Sequence, residues 1–439
     1  MNEKFMNVML TVAAKIGNNR YLAAIRDAFT DLMPIIIVGS FCTLFSNVVC
    51  NTTPGYMSLA NVPGLSWLGL FKPLFVAANY GTMNMMSIGV VILLSAKVAE
   101  SFGNKDKVVS ITALGAFISL CATSVTATAL ESGEEVVVAN VLSSDYTSAK
   151  GLFVAMLCGI FSALIYVKLV ESGKLEIHMP DSVPPNIARS FAVLFPAFIT
   201  IFIIAAVGFA FELLLNVTLF QAITNFIQTP LKNVLTGLPG FLFLIFCTVL
   251  LWFFGIHGTQ TLKAVYEPVL LAAFAENEAA YAAGEAIPNI ISTPFMSNFA
   301  TVTGAGITGG LLLAILIFSK REDYRSIAKL SIPCGLFNIN EPVTFGLPIV
   351  MNPIMGIPFM IAPVVTSAFG YFMTSIGFCG RMVVNAPWTT PPGLMAFMAS
   401  GGSFGAVITQ ILAVLISFLI YTPFVLISNK QAEQENSAE

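Results

Sequence analysis

The chain has 439 residues, of which 56% are apolar and 10% charged, with a formal net charge of −3 and a mean hydropathy of +0.86. Soluble domains carry roughly 25% charged residues, so a soluble globular fold is excluded, and so small a charge with dispersed bases excludes a nucleic-acid binder. Apolar stretches long enough for spans of about 20 residues point to membrane helices, since an outer-membrane barrel would show shorter alternating segments.

The opening MNEKFMNVMLTVAAKIGNNRYLAAIRDAF carries Lys4, Lys15, Arg20 and Arg26 among apolar residues at helical spacing. It has no long uncharged core, so it reads as an amphipathic helix on the cytoplasmic surface and not as a cleavable signal peptide. Spans follow at about Asp31–Val49 and Leu74–Leu94, the second ending at Lys97, Lys105 and Lys107. The loop between them has no base before Lys72, and this alternation places the N-terminus inside. A third span, about Val108–Leu130, leads into a loop with Glu131, Glu134, Glu135 and Asp145 that should face outward. The fourth, about Gly151–Val170, precedes a cytoplasmic loop marked by Lys168, Lys174 and Arg189. The fifth, about Phe191–Phe220, exceeds what a bilayer needs unless it tilts. Gln221–Leu235 is weakly amphipathic and suits an interfacial connector.

After residue 220 the pattern changes to interrupted elements. Pro239–Phe254 reads as a span, whereas Gly255–Gly284 is too polar for one and predicts a short hairpin entering the membrane partway. Gly304–Ser319 is another span, with close-packing glycines at 304, 306, 309 and 310. The loop Lys320–Lys329 supplies four bases and should be cytoplasmic. A span over about Gly356–Gly377, the irregular CGRMVVNAPWTTPPG and a last span over about Gly405–Ile427 precede Lys430 and a polar tail. The expected fold is therefore all-α and polytopic, with about ten transmembrane helices and two re-entrant hairpins. The expected divisions are 1–30, a cytoplasmic amphipathic helix; 31–220, an N-terminal membrane half; 221–428, a C-terminal membrane half with the hairpins; and 429–439, a cytoplasmic tail.

Chemistry concentrates in FNINEPVTFGLPIVMNP, Phe337 to Pro353. A carboxylate at membrane depth costs about 2.5 kcal/mol or more, which makes Glu341 a functional candidate. The prolines at 342, 348 and 353 disfavour a continuous helix, and irregular backbone is tolerated there only where protein buries it or it lines a wet cavity. Asn338 and Asn340 add hydrogen-bonding groups of the type that recognises a polyol. Of the two histidines, His178 and His257, the second sits in WFFGIHG, where Gly255 and Gly258 let a ligand or another backbone approach. Its imidazole can exchange a proton near neutral pH or donate to an anion. Trp388 offers an aromatic face for a sugar ring, while Trp67 and Trp252 read as interfacial or packing residues. Glu212 and Glu267 read first as helix-interface residues, and Arg381 either neutralises a phosphoryl group or pairs with a carboxylate. The cysteines are scattered singly, without metal-ligand spacing, and HExxH, the Walker lysine motif and G-x-S-x-G are all absent.

Taken together, GIHG, NINEPVTFG and HMPDSVPPNIARSF resemble the membrane component IIC of the bacterial phosphoenolpyruvate-dependent sugar phosphotransferase system, in its lactose, cellobiose and chitobiose branch. The resemblance covers essentially the whole chain, and MPDSVPP, Met179 to Pro185, carries the match to this branch. It implies a multi-pass homodimer in the bacterial cytoplasmic membrane, both termini inside, with the first half at the interface and the sugar in the second. It implies that His257 and Glu341 contact the hydroxyl to be phosphorylated. Asn338, Asn340 and Trp388 would help hold a β-linked disaccharide such as cellobiose or diacetylchitobiose, and Gly255 and Gly258 fit the family motif. No cofactor is expected, because the phosphoryl group comes from a phosphocysteine on a separate cytosolic IIB protein. The competing reading is a proton-coupled secondary sugar transporter in which Glu341 and His257 carry the proton.

Overall fold

The structure, a computed structural model, describes residues 11, 15, 19–53, 58–128, 134–177, 179–180, 182–347 and 349–438. Most of the predicted N-terminal surface helix before residue 19 lies outside the described residues, as do Glu131, His178 and Asp181 of MPDSVPP.

Helix α1 (Arg20–Leu44) starts where Asn19 Oδ1 accepts from the backbone N–H groups of Tyr21 and Leu22, satisfying donors that a helix start leaves open. Then come α2 (Lys72–Met83), α3 (Met86–Ser101) and α4 (Val108–Ser119), the strands β1 (Ser124–Thr128) and β2 (Glu135–Ala139), and the helices α5 (Leu152–Glu171), α6 (Pro185–Ala192) and α7 (Leu194–Leu215). The helical stretch α8 (Leu219–Thr236) opens on a Thr218–Gln221 capping box and breaks at Gly237 before α9 (Leu238–Phe253). The remainder is α10 (Gly258–Ala283), α11 (Thr293–Phe299), α12 (Thr308–Phe318), α13 (Glu322–Leu336), α14 (Glu341–Gly346), α15 (Pro353–Ser375), α16 (Leu394–Ala399) and α17 (Phe404–Ala438). Among the described residues six helical stretches are long and apolar enough to cross a membrane, and α8 with α9 makes a seventh if the bent pair is one span. Val108–Ser119 and Ala305–Phe318 are shorter apolar helices.

Three expectations are corrected. The third span does not run on to residue 130: α4 stops at Ser119, and the β-branched run that follows pairs antiparallel with β2, from Ser124↔Ala139 to Thr128↔Glu135. Threonine and valine fit a pleated strand better than a helix. The stretch Gly255–Gly284 is not a hairpin in itself. From Gly258 it is one helix, and its polar residues are covered by protein: Glu267 and Glu278 are 3% exposed and Asn277 is fully buried. The reversal comes later, at Gly284, whose φ of +74° suits glycine. The basic loop shrinks to residues 319–321, since Glu322 and Asp323 open α13 with charges that favour a helix N-terminus. There Arg321 pairs with Asp323 at 2.7 Å and holds its carboxyl below the ordinary carboxylate range.

The chain forms two compact units. One combines residues 18–36 with 79–231. In it α5 packs on α3 and α4, with Gly159 against the backbone of Val91, and Tyr166 donates to Asp106 at 3.0 Å. The other includes residues 37–78 and 232–439 and holds His257, Glu341, Asn338, Asn340, Trp388, Gly255 and Gly258. Its core gathers Trp252, Ile307, Leu311, Val343, Phe359 and Tyr421, all nearly inaccessible. There α17 packs along α12, where Ser417 and Tyr421 donate to the carbonyls of Ile307 and Gly306 at 2.8 and 2.9 Å. A Cβ at Gly310 would overlap the Phe418 backbone nitrogen and the Ser417 hydroxyl. Gly310→Ala should therefore cost about 1–3 kcal/mol of stability, seen as a lower midpoint of thermal unfolding in detergent; an unchanged midpoint would mean that the two helices do not approach this closely.

Candidate functional site

The site begins where α9 ends. Gly255 takes φ +80°, its N–H donates to the Trp252 carbonyl at 2.9 Å, and the Ile256 N–H donates to Leu251 at 3.0 Å. This tight cap turns the chain so that His257 becomes the N-cap of α10, with Nδ1 accepting from the Gln260 N–H at 3.3 Å. An Nδ1 that accepts leaves the proton of the neutral ring on Nε2. Gly258 is needed for packing: a Cβ there would overlap the Thr248 carbonyl oxygen of α9. Of the two approaches that the glycines permit, Gly258 thus serves the backbone of a neighbouring helix.

The His257 ring lies 4.3 Å from the Trp252 ring, and Trp252 lies 6.5 Å from Phe345 of α14. The sequence reading treated Trp252 as a packing residue. It does pack, at 3% exposure, but it also backs the imidazole on one side and faces α14 on the other. Its indole N–H is buried and has no hydrogen-bond partner among the described residues. The adjacency of the tryptophan to GIHG in WFFGIHG was the available signal.

Helix α14 carries Glu341 in its first turn, with Pro342 beside it where a missing N–H does no harm. The Met351 N–H donates to the Phe253 carbonyl at 3.0 Å, pinning the chain after α14 to the end of α9. The two polar islands, some 80 residues apart in sequence, thereby meet. Trp252 links the His257 ring to Phe345, four residues along α14 from Glu341, so the His257 and Glu341 side chains belong to one neighbourhood. Both residues are exposed, and among the described residues Glu341 has no ion-pair partner.

The two asparagines are turned toward protein. Asn338 Oδ1 accepts from the Thr303 N–H at 2.6 Å, and its Nδ2 donates to the carbonyls of Trp388 at 2.6 Å and Thr390 at 2.8 Å. Asn340 Nδ2 donates to the Ala305 carbonyl at 2.7 Å and to Thr344 Oγ1 at 3.2 Å. Asn338 stands at φ +62°, and Thr303 and Ile307 at +61° and +52°, unusual values for β-branched residues. Such backbone persists where the surroundings over-determine it and gathers at functional sites. Trp388, by contrast, is 59% exposed, its ring free of the core while its carbonyl is held by Asn338.

The remaining candidates fall elsewhere. Arg381 donates to the Ile287 carbonyl, and among the described residues it forms no ion pair. Glu267 is buried on α10 with one carboxylate oxygen lacking a partner, and Glu212 is exposed on α7 in the other unit. An anchor that sequence reasoning missed is Asn352, whose Oδ1 caps α15 by accepting from the N–H groups of Ile354 and Met355.

The family model described as phosphotransferase system, EIIC, matches residues 26–363. The oligo-beta-mannoside-specific EIIC component of the PTS system of Bacillus subtilis (strain 168) is 34% identical, over 100% of this chain and 98% of the relative. The cellobiose-specific EIIC component of Geobacillus stearothermophilus is 33% identical, over 98% and 95% respectively. The crystal structure of the transporter ChbC, the IIC component from the N,N'-diacetylchitobiose-specific phosphotransferase system, superimposes with a TM-score of 0.88 at 32% identity, covering 98% of each chain.

Removing the Asn338 amide orphans the buried Thr303 N–H and two half-buried carbonyls. Asn338→Ala should cost about 2–4 kcal/mol, and Asn338→Gly about 1 kcal/mol less, because glycine relieves the left-handed backbone. Equal losses of unfolding free energy in the two variants would remove backbone strain from the account.

Proposed function

Because the chain belongs to the phosphotransferase system EIIC family, and so is a multi-pass membrane protein, we propose that it takes a β-linked disaccharide across the bacterial cytoplasmic membrane coupled to phosphorylation by phospho-IIB. The observation that carries this reading is that exposed Glu341, without an ion-pair partner among the described residues, and the exposed His257 imidazole stand on elements joined through Trp252 in one unit. A sugar hydroxyl is a weak nucleophile and needs a base or strong acceptor, and phosphoryl transfer rests mainly on positioning and charge stabilisation. Glu341 is the natural acceptor of the hydroxyl proton. His257, with a donor at Nε2, stabilises charge that develops on the transferred group or shares the proton. Trp388 supplies a ring face, and Asn338 and Asn340 act by holding the loops that present these groups. Cellobiose, diacetylchitobiose and β-mannosides are the substrate class, by likeness to relatives whose names carry those specificities.

The donor in this proposal is a phosphocysteine on a separate cytosolic IIB protein. Once phosphorylated, the sugar carries about −1.5 to −2 charges, by analogy with other phosphate monoesters, and its return across an apolar barrier is strongly disfavoured. We place both termini in the cytoplasm on the distribution of bases. Among the described residues, the six long stretches, the bent pair and the two shorter apolar helices make nine membrane helices, close to the expected ten, and α11 and α16 are the tips of two re-entrant hairpins. A homodimer forms through the N-terminal half. Its α7 exposes Phe198, Phe202, Phe209 and Leu213 at 61–68%, an apolar face suited to lipid or to a second copy.

Uptake into membrane vesicles tests the coupling: sugar phosphate should accumulate only with phosphorylated IIB, and proton-driven accumulation of free sugar would overturn the proposal. Glu341→Gln should lower transfer by about 10²–10⁴-fold while measurable sugar binding remains. Retained turnover would take the role of base away from Glu341. His257→Ala should weaken sugar binding as well as transfer, and unchanged affinity would confine the imidazole to the chemical step.

A further inference from the structure

Residues 380–393 carry Trp388 but form neither helix nor strand, so their backbone polar groups must find partners one by one. At the near end, the Met382 carbonyl accepts from Asn277 Nδ2 at 3.0 Å. In the middle, Asn338 Nδ2 holds the carbonyls of Trp388 and Thr390. At the far end, the Gly393 N–H donates to Gln410 Oε1 at 2.6 Å. Asn277 and Gln410 are both fully buried. Each is itself locked: Asn277 exchanges hydrogen bonds with the backbone of Asn289, donating to its carbonyl and accepting from its N–H at 2.8 Å each. Gln410 Nε2 donates to Asn298 Oδ1 of α11 at 2.7 Å. Buried amides with both ends engaged cannot turn to ligand, so what they do, they do through the ribbon.

We propose that Asn277 and Gln410 are positioning residues for the disaccharide subsite, fixing the two ends of ribbon 380–393 so that the Trp388 indole is presented in one pose. The inference rests on the reading of Trp388 as the sugar platform. It also joins the ribbon to the segment that follows α10, because Asn277 and Gln410 reach Asn289 and Asn298 with their remaining groups and Arg381 reaches Ile287. Neither residue touches sugar in this proposal, and each alters affinity only by way of Trp388.

A mutant cycle on the purified full-length protein separates these roles. Binding is measured for whichever of cellobiose, diacetylchitobiose, mannobiose and lactose the unsubstituted protein binds most tightly. Gln410→Met keeps the shape of the side chain without its hydrogen bonds. Asn277→Asp still accepts from Asn289 but has nothing to donate to Met382, which keeps the test open if one variant does not fold. Trp388→Ala and each positioning variant alone should weaken binding about tenfold. Combined with Trp388→Ala, each positioning variant should add less than about twofold, because the group it orients is gone. Wild-type affinity in Gln410→Met and Asn277→Asp, or losses that multiply in the double variants, would overturn the proposal. Full affinity in Trp388→Ala with weakened positioning variants would instead overturn the platform reading on which it rests.

Discussion

Three pieces of irregular chain meet at the side chain of Asn338: the turn before α12, its own turn between α13 and α14, and the ribbon that carries Trp388. A single amide joins them because it has one acceptor and two donor hydrogens, and here the protein takes them all. Backbone without helix or strand pairing is expensive in apolar surroundings, where no water relieves an unmet N–H or carbonyl. Remove this junction and Glu341, three residues along the chain from Asn338, loses the platform that fixes its direction. The left-handed conformations at Thr303 and Asn338 lie at the same junction, while Ile307 is held through its carbonyl by Ser417.

The same device recurs around the site. Asn277 and Gln410 satisfy backbone groups of the irregular ribbon with a side-chain amide, Asn340 does so for the turn at Ala305, and Asn352 caps the start of α15. An uncharged amide suits this use: it offers donor and acceptor together without the desolvation cost of a charge. Glu341 and the imidazole of His257 stay exposed, although His257 also caps α10 through Nδ1 and so joins structure-making to its place in the site.

The site was legible in sequence to the extent that its chemistry departs from membrane composition. Glu341 stood out as a carboxylate among prolines and asparagines, and His257 as one of two histidines, flanked by glycines. The asparagines were visible as polar anomalies, but whether an amide faces a ligand or a neighbouring carbonyl depends on where residues 50 positions away lie. Trp252 reads in sequence only as an interfacial or packing residue, because its contact with the His257 ring exists only once α9 turns at Gly255.

Composition, hydropathy and motif determined by themselves that this chain is helical, crosses a membrane many times and carries a polar site in its second half, since burial of apolar length in lipid leaves few other solutions. Tertiary structure decided what local pattern does not encode. It made one helix of the polar stretch after Gly258 by covering Glu267, Asn277 and Glu278, and it paired residues 124–128 with 135–139 as strands. It also joined the His257 turn to the segment that carries Glu341, through Trp252 and the bond from Met351 to Phe253. Each of these depends on contacts between residues distant in sequence, whose partners no single window of the chain contains.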